Sequence, residues 1–334
     1  MNAFIVGSGS FAPERVVTND ELAPQLGLTS EQIFKSSGIL RRRWAEPGTA
    51  TSSLASAALR LALDDAGLES SNVDYLIFGT MTPDRFIPGS ASALQKKTGL
   101  GEIPCVDIRA TCCNALYGLQ LAAALVKSGT AKHVAVCLAE VQSVWLDLSP
   151  ASANISMLFG DGASALIVSG EARGSSLEII DVLLATDGAY VDELGLRSPG
   201  TEFGPGVAHD PNSEQGRPHM KGQSVILQAS RRITAACREL LQRNKLGIEQ
   251  VRWIVPHQAN INLLAQVARA LSFPAETGGV ISILEDFGNT SSASMGMALD
   301  SLRRSRRVQP GHCLLLPGFG AGFTWGAGLC RSTS

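Results

Sequence analysis

In Asp107-Ile-Arg-Ala-Thr111-Cys112-Cys113-Asn-Ala-Leu a run of strand type turns into a long apolar helix. Thr111 is placed to cap that helix, so Cys112 falls in its first turn, where free N–H groups and the macrodipole favour a thiolate nucleophile. The plainer reading is a pair of small core residues, because most cysteines in apolar helices are inert. A Cys112–Cys113 disulfide is disfavoured, since adjacent residues rarely meet the bond's geometry. Trp253-Ile-Val-Pro-His257-Gln-Ala-Asn260 sets a histidine just past the C-terminal end of a strand, where open α/β sheets place ligands. It is either a structural residue there or an acid–base and hydrogen-bonding group. Phe287-Gly-Asn289-Thr-Ser-Ser-Ala-Ser opens another helix, and Asn289 taken alone is a turn or N-cap residue.

The elements that must position these residues alternate. Strand-type runs lie at 74–78, 104–108, 133–138, 165–168, 253–255, 280–283 and 313–316. Helical patterns lie at 52–66, 112–127, 222–246, 261–271 and 291–304, which argues an α/β architecture. The helix from Cys112 is apolar nearly all round, as expected of one held between two sheets. The two halves also repeat each other. The strand from 73, the helix from 112 and the strand from 133 recur at 251, 291 and 312, with offsets of 178, 179 and 179. Phe159-Gly-Asp-Gly and Phe319-Gly-Ala-Gly are a fourth pair at the shorter offset of 160. Residues 1–172 then form one half with the cysteine, and residues 173–334 a second with His257 and Asn289. Asn289 is placed near Cys112 by the repeat, and a site is expected where the halves meet. Around 198–220 the chain is polar and rich in Gly and Pro, as in a long loop.

Composition excludes several classes. The chain has 334 residues, with 45% hydrophobic and 17% charged. The charged share lies below the usual ~25%, which excludes disorder and points to extensive dry interior. Lys plus Arg number 28 against 30 Asp plus Glu, and a net charge of −2 does not attract nucleic acid. The seven cysteines form no CxxC and have no histidine at metal-ligand spacing, so neither a metal site nor a disulfide framework is expected. With no basic leader at the N-terminus, the expected compartment is the reduced cytoplasm. The longest apolar stretch, 112–126, is broken by Asn114 and Gln120 and falls short of a membrane span of ~20 residues. Gly7-Ser-Gly9-Ser-Phe-Ala12 superficially fits a dinucleotide fingerprint. The following Pro13-Glu-Arg-Val-Val is extended and the next helix start is Thr18-Asn-Asp-Glu21, so a turn is expected instead.

Together these segments resemble β-ketoacyl-acyl-carrier-protein synthase III. The resemblance is carried by Cys112 after Asp-Ile-Arg-Ala-Thr, by Val-Pro-His257-Gln-Ala-Asn and by Gly-Asn289-Thr-Ser-Ser-Ala-Ser. Gly-Phe319-Gly-Ala-Gly-Phe-Thr-Trp-Gly adds to it, and it runs from Gly9-Ser-Phe-Ala-Pro-Glu through Phe159-Gly-Asp-Gly-Ala to the C-terminus. It implies a thiolase-like αβαβα five-layer fold with internal pseudo-duplication, a homodimer, acyl carrier protein as partner, and no metal or redox cofactor. It also implies that Cys112 takes an acyl group from a thioester, splitting the reaction in two. His257 and Asn289 would then donate hydrogen bonds to a malonyl thioester as it loses carbon dioxide. The backbone N–H groups of Cys112 and Ala321 would hold the oxyanion, with Gly320 and Gly322 allowing close approach. Asn260 and Gly222 stand where the family contacts the pantetheine arm, with Phe319 and Ile87 as further substrate-binding residues. Ile87 belongs to the segment 81–88, which in the family walls the acyl tunnel, in part across the dimer interface.

The chain also departs from the family pattern. Thr29-Ser-Glu-Gln-Ile-Phe-Lys-Ser-Ser-Gly38-Ile39 lacks the tryptophan and arginine that sandwich adenine in housekeeping members, and offers Gln32, Ile33 and Ser36. Two further family arginines are replaced near Ala153 and by Ile261-Asn262. Loss of the cation–π part alone is worth ~0.5–2 kcal/mol. A specialised member taking an unusual acyl group or an acyl-carrier-protein donor is therefore expected. Arg85 either binds a carboxylate on the acyl group or faces water, and water is the expectation for a loop arginine. Two other classes compete: an acyltransferase delivering the Cys112-bound group to an oxygen or nitrogen, and a non-catalytic partner subunit. Retention of Asn289 counts against the first, and retention of the nucleophile against the second.

Overall fold

Strands covered by helices on both faces read as unbroken apolar runs, and His133–Glu140 is buried along nearly its whole length for that reason. The computed structural model describes residues 2–198, 200–203, 213, 216–274 and 278–333. Ten strands are joined edge to edge in its main sheet. In the first half these are β1 (Phe4–Phe11), β2 (Tyr75–Gly79), β3 (Cys105–Ile108), β4 (His133–Glu140) and β5 (Gly162–Ser169). The second half supplies β6 (Leu177–Thr186), β7 (Val251–Ile254), β8 (Gly279–Val280), β9 (Cys313–Gly320) and β10 (Thr324–Ser332).

The spatial order is β3-β2-β4-β5-β1 followed by β6-β10-β9-β7-β8, so each half has the same order counted from the middle. Directions repeat as well. The two inner pairings of each half are antiparallel and the two outer ones parallel. The halves join where Phe4 and Ile5 pair with Glu178 and Leu177.

Three helices follow the same repeat: α1 (Thr51–Ala66), α2 (Ser90–Thr98) and α3 (Asn114–Lys127), then α4 (Gly222–Arg243), α5 (Ile261–Ala270) and α6 (Ser294–Arg304). α3 and α6 form the middle layer. Their Leu116, Leu119, Met295 and Leu299 share one core with Ile77 and Val136 of one half and Leu314 and Leu316 of the other. α1 with α2, and α4 with α5, cover the outer faces. The result is the expected five-layer αβαβα fold with its pseudo-duplication.

Two expectations need correction. Gly7 and Gly9 do not form a turn but lie inside β1. α1 presses on them so closely that a Cβ at Gly7 would overlap Ala62 O, and one at Gly9 would overlap Ala58 O. The repeat register also differs at the helix. The turns before the middle helices begin at Thr111 and Ser291, the helices at Asn114 and Ser294, and β4 and β9 at His133 and Cys313, each 180 residues apart. Cys112 thus corresponds to Ser292. Among the described residues no helix is long and apolar enough to cross a membrane.

Candidate active site

β3 ends at Ile108, and a tight turn, Thr111–Cys113, precedes α3. Thr111 holds a left-handed φ of 54°, a conformation costly for a β-branched residue and maintained only where its surroundings enforce it. Those surroundings are the end of β9. Thr111 Oγ1 donates to Ala321 O at 3.1 Å. A Cβ at Gly320 would overlap Thr111 Oγ1 and stand 2.8 Å from Cys112 N.

Cys112 Sγ lies 3.3 Å from Ser291 Oγ. Cys113 points away and is fully buried, its thiol 3.5 Å from Thr324 O. Burial pushes the Cys112 thiol up to about 12, opposed by the Ser291 contact and its own backbone N–H and reinforced by Glu140. The expected resting thiolate is therefore corrected. Desolvation outweighs the turn's free N–H groups, so the thiol's pKa is raised rather than lowered.

β7 stops at Ile254, and the chain continues alongside β9, with His257 N donating to Pro317 O at 2.9 Å. His257 is buried, with its ring edge-on to Phe319 at 5.5 Å between centroids. Its Nδ1 stands 2.7 Å from Ser294 Oγ. The same oxygen accepts the Gln258 N–H at 3.2 Å, so we assign the hydroxyl hydrogen to Nδ1 and the ring proton to Nε2. Burial lowers the ring's pKa to about 3, so it is a neutral donor at physiological pH.

Asn289 is held by its backbone, its N–H donating to Leu158 O at 2.8 Å and its carbonyl accepting from Gly160 N at 3.1 Å. Its Oδ1 accepts the Ser291 N–H at 2.8 Å, which leaves Nδ2 to donate elsewhere. Ser291 thus touches both Cys112 and Asn289, and Ser294, one turn on, touches His257. Neither serine is singled out by sequence reasoning, although three hydroxyls opening a buried helix are the available signal.

A cavity of about 460 Å³ runs from Cys112, Thr111, Ser291 and Ala321 to apolar walls that include Trp145 and Leu194. His257 and Phe319 line a separate small cleft. Beneath the turn lies Glu140, fully buried at the end of an otherwise apolar strand, a position whose composition could have flagged it. It accepts from Ser292 Oγ at 2.6 Å, Thr82 Oγ1 at 2.8 Å and Met81 N at 3.1 Å. Burial raises its carboxyl from an ordinary 4.5 to about 7 against those hydrogen bonds.

The remaining expected substrate contacts lie outside the cavity. Asn260 caps α5, accepting from Asn262 N at 2.8 Å and donating to Ser36 O at 2.6 Å. Gly222 is the first residue of α4, and Ile87 stands 79% exposed on its loop. Gln32 is consumed by a capping box with Thr29, Ile33 is fully buried and Ser36 bonds back to Gln32 O at 2.8 Å. None of these three presents a π face or a cation. Among the described residues no cluster of three or more His, Cys, Asp or Glu side chains could hold a metal ion.

Residues 106–188 match the family described as 3-oxoacyl-[acyl-carrier-protein] synthase III, and residues 241–332 match its C-terminal part. A β-ketoacyl-[acyl-carrier-protein] synthase III of Bordetella petrii is 38% identical over 334 residues, covering 98% of each chain. The 3-oxoacyl-[acyl-carrier-protein] synthase III structure from Aquifex aeolicus superposes with a TM-score of 0.88 at 31% identity, covering 98% of this chain and 99% of that one. The priming β-ketosynthase of a polyketide pathway superposes at 0.89 with 33% identity, covering 99% of this chain and 96% of that one. With these matches spanning the strands, turns and middle helices just described, the chain belongs to the 3-oxoacyl-[acyl-carrier-protein] synthase III family of thiolase-like condensing enzymes, which are acyltransferases.

Proposed function

We propose that the chain takes an acyl group from a thioester onto Cys112 and joins it to a malonyl unit on acyl carrier protein, with loss of carbon dioxide. The observation that carries this reading is the cavity: a cysteine sulfur in the turn before a helix opens into about 460 Å³ of largely apolar space, next to Ala321. In the first step the sulfur attacks the thioester carbonyl. Its proton leaves with the departing thiol, and the backbone N–H groups of Cys112 and Ala321 hold the oxyanion. In the second, neutral His257 through Nε2–H and Asn289 through Nδ2 donate to the malonyl thioester carbonyl. The carboxylate leaves as carbon dioxide, and its electron pair forms the new C–C bond at the acyl carbonyl. The Cys112 thiolate departs and takes up a proton.

Delivery of the acyl group to an oxygen or nitrogen would leave the Asn289 amide without a task, so the fixing of Oδ1 by Ser291 N–H, which turns Nδ2 elsewhere, supports condensation. We read the two halves, 1–172 and 173–334, as carrying the nucleophile and the two donors respectively. The working unit of this reading is a cytoplasmic homodimer, a view supported by the exposure of Phe86 and Ile87 at 75% and 79%. The occupied side chains of Gln32, Ile33 and Ser36 support a specialised member with little affinity for the nucleotide end of coenzyme A.

Intact-mass analysis after offering acyl thioesters tests the loading step. Presenting one acyl group on pantetheine and on coenzyme A then tests the specialisation. Similar kcat/KM values are expected, and a coenzyme A advantage above ~100-fold, about 2.7 kcal/mol, would show that other residues hold the nucleotide.

A further inference from the structure

Arg85 and Arg109 line the same cavity as Cys112. Arg85 is expected from the sequence to face water and Arg109 has no role there; both side chains are exposed, as expected of Arg85, and both stand at the wall of the space the acyl group would enter. No described residue accepts a hydrogen bond from either guanidinium. The nearby acids are otherwise engaged. Asp84 takes the backbone N–H of Ser52 at 2.9 Å and its hydroxyl at 2.5 Å, and Glu140 is held by Ser292, Thr82 and Met81. The remaining wall is apolar, with Met81, Phe86, Trp145 and Leu194 among its residues. An acyl group with a methyl end would gain nothing from these two exposed cations. A carboxylate at that end would accept from both planar forks.

Resting on the reading of Cys112 as the acyl-carrying residue, we infer that the acyl donor is the half-thioester of a short dicarboxylic acid, its distal carboxylate held by Arg85 and Arg109. The volume agrees. At the ~30 Å³ that one water occupies in the liquid, the cavity holds roughly fifteen non-hydrogen atoms, far more than acetyl. Arg109 lies three positions before Cys112, so their Cα atoms are at most ~11 Å apart.

The test is competition for Cys112 between glutaryl-pantetheine and its distal methyl ester, equal in stem and differing in charge, read by intact mass. The free acid is expected to load faster by roughly tenfold to hundredfold, the range of a charge-assisted hydrogen bond. Arg85→Met and Arg109→Met should each lower that ratio, the double variant should abolish it, and raised ionic strength should shrink it in the parent protein. Equal or faster loading of the ester would overturn the inference and leave the condensing reading standing. If Cys112 took no acyl group from any donor, both would fall.

Discussion

The turn Thr111–Cys113 and the turn Ser291–Ala293 share one backbone path, opening at φ 54° and 50° before the two middle helices. What faces them differs. The ends of β4 and β9 are Glu140 and Gly320, themselves 180 residues apart, and each meets the turn of the opposite half. Gly320, with no side chain, lets the turn of Thr111 and Cys112 pack directly on the strand end, and the cavity of about 460 Å³ opens beside Cys112 and Ala321. At the equivalent strand end Glu140 sets a carboxyl group against Ser292, binding its hydroxyl at 2.6 Å. One duplicated scaffold therefore yields an open position with a nucleophile and a plugged position with a buried acid. Of the plugged side's neighbouring residues, Ser291 reaches across to Cys112, and Ser294 holds His257 of its own half. Duplication supplies the geometry, and a few side chains decide which copy has space for a substrate.

The comparison breaks most completely at the sulfur. Cys112→Ala should abolish acyl loading, while Cys113→Ala should leave it largely intact, because Cys113 Sγ points to Thr324 O rather than the cavity. Peptide mapping of the loaded protein checks the assignment, and an acyl group on Cys113 would refute it.

Crowding the nucleophile's turn from the strand side comes next. Gly320→Ala puts a methyl group against Thr111 Oγ1 and within 2.8 Å of Cys112 N. Overpacking of this kind costs ~1–3 kcal/mol of stability. Displacing the turn by ~1 Å should cost on the order of 10²-fold in loading rate. Denaturant unfolding and single-turnover loading separate the two, and parent-level loading would show that the strand end does not set the nucleophile's position.

The smallest effect belongs to the plugged side. The Glu140 carboxyl rises from 4.5 to about 7 on folding. A raised folded pKa means the stabilising difference is complete below pH ~4.5 and is lost as pH rises through ~7. Stability should fall by about 3 kcal/mol across that window from this group. Glu140→Gln, which does not titrate, should flatten the slope. An unchanged pH profile of chemical unfolding would show that Glu140 is not the titrating group.

Much of this was legible in the sequence because it rests on local signals. Cys112 at a strand-to-helix junction, His257 past a strand end and an all-round apolar helix each follow from spacing alone. Three central strands were missed for equally physical reasons. β1 carries Gly7 and Gly9, β10 carries Gly326 and Gly328, and β6 carries Glu178 and Asp181, so none reads as an uninterrupted apolar run. The glycines answer to close helix and strand neighbours, which only the folded chain reveals. The thiol's raised pKa was hidden for the same reason, since the helix start is a local feature and burial is not. Ser291, Ser294 and Glu140 acquire meaning only through partners distant in sequence, such as Cys112, 179 positions before Ser291.

The central claim is that Cys112 holds the acyl group while His257 and Asn289 drive decarboxylation of a malonyl thioester. Its most direct test is release of carbon dioxide from malonyl-acyl-carrier-protein by protein already acylated on Cys112. The parent should release it in step with the new 3-oxoacyl product. His257→Ala and Asn289→Ala should keep their acyl load yet release carbon dioxide ~10²–10³-fold more slowly, the usual cost of removing one donor to a developing oxyanion. Parent-rate release by both variants, or acyl transfer to an oxygen or nitrogen acceptor with no carbon dioxide, would contradict the account.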